Sequence, residues 1–441
     1  MVHAKIADLW DIVEGKREEW KPKHILSREL LEKWSEIEDD KFYRLEVSIA
    51  FDKPLGKEPD PSKVGGETRL RKYQEKLIER DEQFLERETH FQQFINHYGE
   101  INSAIVDLDG SFGCEVEITG KGLKDLVVNY QFVFEVTEVE DVGGVNGSDL
   151  DSLDIEVEIL PPENDASEVG VIDSGIMENH KFLEPAIRQA KSKSYVRNDN
   201  STADYVSGGG HGTKVAGAIL YPNGVSNIPS PYILPAFIRN LRVLNRGNML
   251  DFPYPAELMK RIVEENQDCS IFNLSINTDA PCRLKHMSSW AAIIDKLIHE
   301  KNILFLISTG NISTRSIKKY LSRGDDYPDF LQNPFCKIAN PGQSSFAVTV
   351  GSVNSLKFSD EDWETLGEAD DVSAFSRIGP GIWGMIKPDL VEYGGELMVS
   401  KNGQYLIREN QETNVEFVKS TLYGGRVPTP IIRTVKGKNI V

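Results

Sequence analysis

Residues 42–51 alternate apolar and polar side chains, the two-residue period of a strand buried on one face. A Pro/Gly-rich stretch with Pro54, Pro59, Pro61, Gly65 and Gly66 follows. Residues 67–98 then predict one long helix, with Leu70, Tyr73, Leu77, Phe84, Phe91, Phe94 and Ile95 on one side and Lys, Arg and Glu elsewhere. That stripe is read as a core-facing seam. Two strands, 104–108 and 114–118, flank a turn at Asp109-Gly110, and a short helix at 120–126 leads to a last strand at 132–136. The order β-α-β-β-α-β is the split arrangement of a ferredoxin-like α+β domain, assigned to residues 41–141.

Residues 1–40 read as a charged helical arm, with helices at 6–19 and 27–38 and Ser27 as the N-cap of the second. A surface hairpin or docking arm is the expectation, and a regulatory protein is the partner it leaves room for. Residues 142–166 read as a linker. It holds Gly143, Gly144, Gly147, an acidic run and an alternating piece at 155–160 suited to lying extended against another surface. From 167 to 441 apolar strands alternate with helical patterns, most clearly at 169–172, 269–274, 303–307 and 346–350. This implies an α/β domain, a parallel sheet with helices on both faces.

Charge changes the picture next. The 441 residues carry 50 Lys+Arg against 69 Asp+Glu, a net of −19. Such a surplus argues against nucleic acid or an anionic membrane as a general partner, since most faces repel a polyanion. No apolar run approaches the ~20 residues that span a bilayer. Asp8, Asp11 and Glu14 come too early for a secretory segment, so a cytoplasmic location is expected. Cys114, Cys269, Cys282 and Cys336 are scattered and form no Cys/His cluster, which favours free thiols and no structural zinc.

Three short motifs carry candidate chemistry. Val171-Ile172-Asp173-Ser174-Gly175 ends an apolar strand in a carboxylate, where functional groups of an open parallel sheet gather. A turn or helix cap is the other reading of Asp173. Gly208-Gly209-Gly210-His211-Gly212-Thr213 surrounds a histidine with glycines before a small-residue helix, a setting expected to leave the imidazole exposed at the helix start. It is not a dinucleotide fingerprint, because the third Gly/Ala and a preceding apolar strand are lacking. Ile307-Ser308-Thr309-Gly310-Asn311 places an amide at another strand end, either a turn or a neutral donor to an oxyanion.

The order Asp-Ser-Gly, His-Gly-Thr, Gly-Asn resembles the subtilisin-like serine peptidases. Asn273-Leu274-Ser275-Ile276, Ala347 to Val353, Ser373-Ala374-Phe375-Ser376 with Gly379-Pro380, and Lys387-Pro388-Asp389 are similar to later segments of that family in the same order. The resemblance covers about residues 167 to 392 and implies a subtilisin-like fold. It also implies Asp173 and His211 as catalytic carboxylate and base, Asn311 as oxyanion donor, and Ser275, Ile276 and Gly310 along a groove for a polypeptide substrate. The 41–141 region resembles the family's propeptide, an intramolecular chaperone and inhibitor whose tail lies in the cleft. No cofactor is implied. Calcium is common in the family, but Asp325, Asp326 and Asp329 form no ligand spacing.

One element of the family pattern is missing. Its nucleophile sits in Gly-Thr-Ser-x-Ala-x-Pro, and no Gly-Thr-Ser occurs after Asp389. Ser400 and Ser420 lie in polar, strand-like sequence without the small-residue helix of the motif. The expectation is a serine endopeptidase truncated before its nucleophile and inactive as it stands. The alternatives are a pseudo-peptidase acting as a binding or scaffolding module, and one half of a split peptidase.

Overall fold

A computed structural model of the chain describes residues 16–51, 55, 58–143, 157–206, 210–225, 228–283, 285–410, 416–418, 420 and 434–436. Two compact units divide after Val139.

In the first unit, α1 (Arg17–Ile25) and α2 (Arg28–Glu32) precede β1 (Phe42–Ala50), α3 (Gly66–Tyr98), β2 (Gly99–Ile101), β3 (Val106–Asp107), β4 (Ser111–Thr119), α4 (Gly120–Asn129) and β5 (Val133–Glu138). The helix expected at 6–19 falls largely outside the described residues. The helix that is described runs on through Pro22, because Ile25 and the adjoining Leu26 are buried in the core. Ser27 caps α2 as expected, its Oγ accepting the Leu30 N–H at 3.2 Å, but the α-helix ends at Glu32 and a 3₁₀ turn follows. The sheet runs β2-β4-β1-β5, with β3 also on β4 and every pair antiparallel. This is the ferredoxin-like strand order. The strand expected at 104–108 is instead two short strands. Between them the Asn102 N–H donates to the Glu115 carbonyl, and Ser103 Oγ accepts the Glu115 N–H at 2.9 Å.

The long helix corrects one expectation. Phe91 and Ile95 are fully buried, with Phe84, Phe94 and Tyr98 packed beside them, but Leu70, Tyr73 and Leu77 do not belong to that core. Length explains this. A helix of 33 residues extends about 50 Å, whereas the nine-residue strands beneath it extend about 30 Å. Arg80 stands near the limit of the packed half, paired with Asp107 and Asp109 at 3.2 Å each.

The second unit comprises β6 (Val142–Gly143), β7 (Ile159–Leu160), β8 (Glu168–Asp173), β9 (Lys193–Ser194), α5 (His211–Leu220), β10 (Tyr232–Ile233), β11 (Phe237–Arg242), α6 (Pro255–Glu265), β12 (Ile271–Leu274), β13 (Asn277–Thr278), α7 (Ser289–Lys301), β14 (Leu304–Ser308), α8 (Thr314–Leu321), β15 (Val348–Val353), β16 (Trp363–Thr365), β17 (Leu390–Tyr393), β18 (Leu397–Ser400), β19 (Ile407–Glu409), β20 (Glu416–Val418) and β21 (Thr434–Lys436). Seven strands form one sheet in the order β17-β15-β14-β12-β8-β11-β9, every pair parallel. The α/β expectation is met. Central strands read as apolar because both faces are covered: α5 lies against β8, and Phe272 stacks on Phe305 at 5.1 Å between ring centroids.

The segment read as a linker is partly built into this unit. Val142–Gly143 pairs antiparallel with β13, and Ile159–Leu160 pairs parallel with β10. Residues 144–156 lie outside the described ones. All four cysteines are free and buried, and among the described residues no helix is long and apolar enough to cross a membrane.

Phe91→Ala empties a site at the centre of the first core, where it touches the rings of Phe112 and Tyr130. It should lower the unfolding free energy of that unit by about 3–5 kcal/mol in chemical denaturation, leaving the second unit's transition in place.

Candidate active site

Parallel strands in register put their carboxyl ends on one edge, so residues just beyond β8, β12 and β14 gather there. Asp173 closes β8. Its side chain is buried, and Oδ1 accepts the Ser174 N–H at 2.7 Å. His211 is the first residue of α5, and its Nδ1 lies 2.6 Å from Asp173 Oδ1. A carboxylate only accepts, so Nδ1 carries the proton of this contact, and in the tautomer it selects Nε2 presents a lone pair. That Nε2 has no hydrogen-bond partner among the described residues.

The expectation of an exposed imidazole is overturned, since His211 is 1% exposed. The cause is backbone packing. A Cβ on Gly212 would stand 2.3 Å from the Gly175 carbonyl oxygen and 3.1 Å from Asp173 Cβ, so only glycine lets α5 begin this close to the end of β8. Gly175 and Gly210 have φ of 100° and 75°, in the left-handed range that glycine adopts freely.

A second carboxylate lies behind the pair. Asp204 is fully buried, and it was not singled out from sequence because it stands seven residues before His211 in a loop with no motif (211 − 204 = 7). Burial pushes its carboxyl up to about 6, with the Asp173 charge adding to the rise and bonds from Thr213 opposing it. Side chains at the end of β11 anchor this loop. Arg242 Nη1 donates to Asp199 Oδ2 (3.0 Å) and the Ser201 carbonyl (2.6 Å), and Asn240 Nδ2 donates to the Thr202 carbonyl (2.8 Å).

Asn311 follows β14, two strand positions from β8 and so on the order of 10 Å away. Its backbone is clasped by the segment after β15. Ile312 N–H donates to the Phe375 carbonyl (2.7 Å), Arg377 N–H to the Gly310 carbonyl (3.2 Å), and Arg377 Nε to the Asn311 carbonyl (3.2 Å). The buried Arg377 guanidinium also donates to the carbonyls of Phe335, Lys337 and Asp279. Gly310 turns with φ of 87°, and a Cβ there would meet Ala339 Cβ at 2.7 Å.

Ser275 and Ile276 continue β12 and are buried, Ser275 Oγ donating to Asn273 Oδ1 at 3.0 Å. The backbone pairing on this segment is made one step further on. Asn277 and Thr278 pair with Gly143 and Val142, and the Leu250 N–H donates to the Val142 carbonyl at 2.9 Å. Asn277 was missed from sequence. Its side chain bonds both the carbonyl and Oγ of Ser308, tying β13 to β14. Neither serine considered as a nucleophile bonds His211. Ser400 Oγ donates to Asn402 Oδ1 (2.9 Å), and Ser420 Oγ donates to the Asp204 carbonyl (3.0 Å). Among the described residues no cluster of His, Cys, Asp or Glu could hold a metal ion.

The subtilase family model matches residues 164–425, more than half of the chain, and the chain belongs to that family. Serine protease AprX of Bacillus subtilis is 26% identical over 270 residues, 60% of this chain and 54% of that protein. The uncharacterised protein y4bN of Sinorhizobium fredii is 30% identical over 155 residues, 33% of this chain and 36% of that protein. The chain thus spans about a third to a half of the length of these relatives. Among solved structures, the epidermin leader peptide processing serine protease EpiP of Staphylococcus aureus is similar at 16% identity and a TM-score of 0.40, over 83% of this chain and 84% of that one.

The loop after β8 also holds a titrating group. His180 is buried, its Nδ1 accepts the Phe182 N–H at 3.1 Å, and burial pushes it down from 6.5 to about 4. The native state keeps it neutral, so its contribution is complete above pH 6.5 and is lost as pH falls toward 4. In denaturation measured across that range, His180→Asn should show a shallower acid decline than the wild type, by about 3 kcal/mol.

Proposed function

We propose that the second unit carries the base, the orienting carboxylate and the oxyanion donor of a subtilisin-type serine endopeptidase that hydrolyses peptide bonds by acyl transfer. One observation carries this reading: the 2.6 Å contact of His211 Nδ1 with Asp173 Oδ1 at the carboxyl edge of a parallel sheet. Asp173 holds the imidazole in the tautomer whose Nε2 takes a serine proton, and stabilises the imidazolium that forms. The same ring then returns the proton to the leaving amine. Asn311 donates from its side-chain amide to the tetrahedral oxyanion, worth about 3 kcal/mol for one such donor in comparable sites. Ser275, Ile276 and Gly310 flank the acyl side of an extended polypeptide substrate.

The nucleophile is the remaining part. No Gly-Thr-Ser occurs after Asp389, and among the described residues no serine bonds His211 Nε2, so none of them supplies the nucleophile that this reading requires. The pairing of Val142–Gly143 with β13 supports peptide binding by strand addition. It equally favours a second reading, in which the chain's own Val142–Gly143 segment keeps that strand edge occupied and the protein acts by binding.

Peptide hydrolysis and labelling by a serine-directed fluorophosphonate test this. The 441-residue chain should show neither, and its 142–166 segment should stay uncut. Joining a Gly-Thr-Ser-x-Ala-x-Pro segment after Val441 should give labelling that His211→Ala abolishes. Labelling of the 441-residue chain that survives His211→Ala would contradict the proposal, and a folded but silent joined chain would favour the binding reading.

A further inference from the structure

Nothing in the hydrolytic scheme uses Asp204, yet this carboxylate touches the neighbours of both members of the pair. Toward β8, Ser174 Oγ donates to Asp204 Oδ1 (3.1 Å), and Ser174 is the residue whose N–H donates to Asp173. Toward α5, the Thr213 N–H and Oγ1 donate to Asp204 Oδ2 at 3.0 and 2.8 Å. The two arms are cross-braced, since the Gly212 N–H donates to Ser174 Oγ (2.9 Å) and the Met177 N–H to Thr213 Oγ1 (3.0 Å). The Val206 N–H completes the set on Oδ1 at 3.3 Å. Gly210 passes directly over the group: a Cβ there would lie 2.3 Å from Asp204 Oδ2, so the glycine before His211 is what leaves room for this carboxylate.

We infer that Asp204 is a positioning residue that clamps Asp173 to His211, through Ser174 on one side and Thr213 on the other. The inference rests on the reading of Asp173 and His211 as a catalytic pair. Its logic is one of acceptors. Four donors converge on the two oxygens: the Ser174 hydroxyl, the Val206 N–H, and both Thr213 groups. Only a carboxylate accepts on both sides at once. Asn at this position turns an NH2 toward one set of donors and releases that arm. Retaining a charge here is costly, because Asp204 is fully buried and faces the like charge of Asp173. A purely space-filling role would be served by a neutral side chain at lower cost.

The test reads the Nδ1 proton of His211 in the folded 441-residue chain by NMR. A short bond to a carboxylate moves this proton far downfield, and its disappearance in His211→Gln assigns it. The resonance should be present in the wild type and in Asp295→Asn, which removes a carboxylate that caps residues 344–346 and lies outside this cluster. It should be lost, or shifted upfield, in Asp204→Asn and Ser174→Ala, and weakened in Thr213→Val, with cooperative thermal unfolding retained. If Asp204→Asn does not fold, the other two variants carry the test, since each cuts one arm and leaves the carboxylate in place. A resonance unmoved in the folded variants overturns the clamp and leaves the catalytic pair standing. A folded wild type with no downfield His211 proton overturns both. A lower melting temperature with an unchanged resonance would mark Asp204 as structural only.

Discussion

The hydrogen bond between Asp173 and His211 depends on two stretches of backbone touching. Their side chains meet at 2.6 Å because α5 starts against the turn that follows β8, and Gly212 is what lets it. Any side chain there meets a carbonyl oxygen of the opposing turn, and the helix must retreat. The pair is therefore a consequence of main-chain packing, and it is dry: both partners are almost fully buried. In such surroundings a charge-assisted bond is strong, and an unpaired carboxylate would be expensive. The one contact fixes the imidazole and, with the Ser174 N–H, supplies the donors to Asp173 Oδ1.

The parallel sheet supplies the rest of the geometry. Matching registers bring β8, β12 and β14 to a common edge, so residues distant in sequence become neighbours without long loops. The candidate site residues are then held by segments from elsewhere. Arg242 and Asn240 on β11 pin the loop bearing Asp204, and the segment around Arg377 clasps the backbone of Gly310 and Asn311. Asn277, bonded to Ser308, stiffens the edge on which Val142–Gly143 lies. Arg377 is buried and bonds four backbone carbonyls, at Asp279, Asn311, Phe335 and Lys337, so it joins three segments of the chain.

What could be read from sequence follows a physical division. Period-two alternation and β-α-β-β-α-β order exposed the first unit, and apolar strands exposed the second, because burial on one or two faces leaves a direct pattern. The contact of Asp173 with His211 was legible because glycines stand close to both in the sequence, and glycine is visible. The half of the long helix outside that core was not, since a stripe at Leu70, Tyr73 and Leu77 looks the same whether or not a sheet lies beneath it. The burial of His211 was hidden for a related reason: the surrounding glycines suggested openness, and in the fold they permit contact. Asp204 and Asn277 act through a loop and a short edge strand whose meaning comes only from what the chain brings beside them.

A crystal structure of the 441-residue protein, refined well enough to place the imidazole and carboxylate independently, tests the central claim most directly. His211 Nδ1 should lie within hydrogen-bond distance of Asp173 Oδ1, with Nε2 turned to the sheet edge that carries Asn311. An imidazole rotated away from Asp173, or an α5 start displaced from the Gly175 turn, would contradict it.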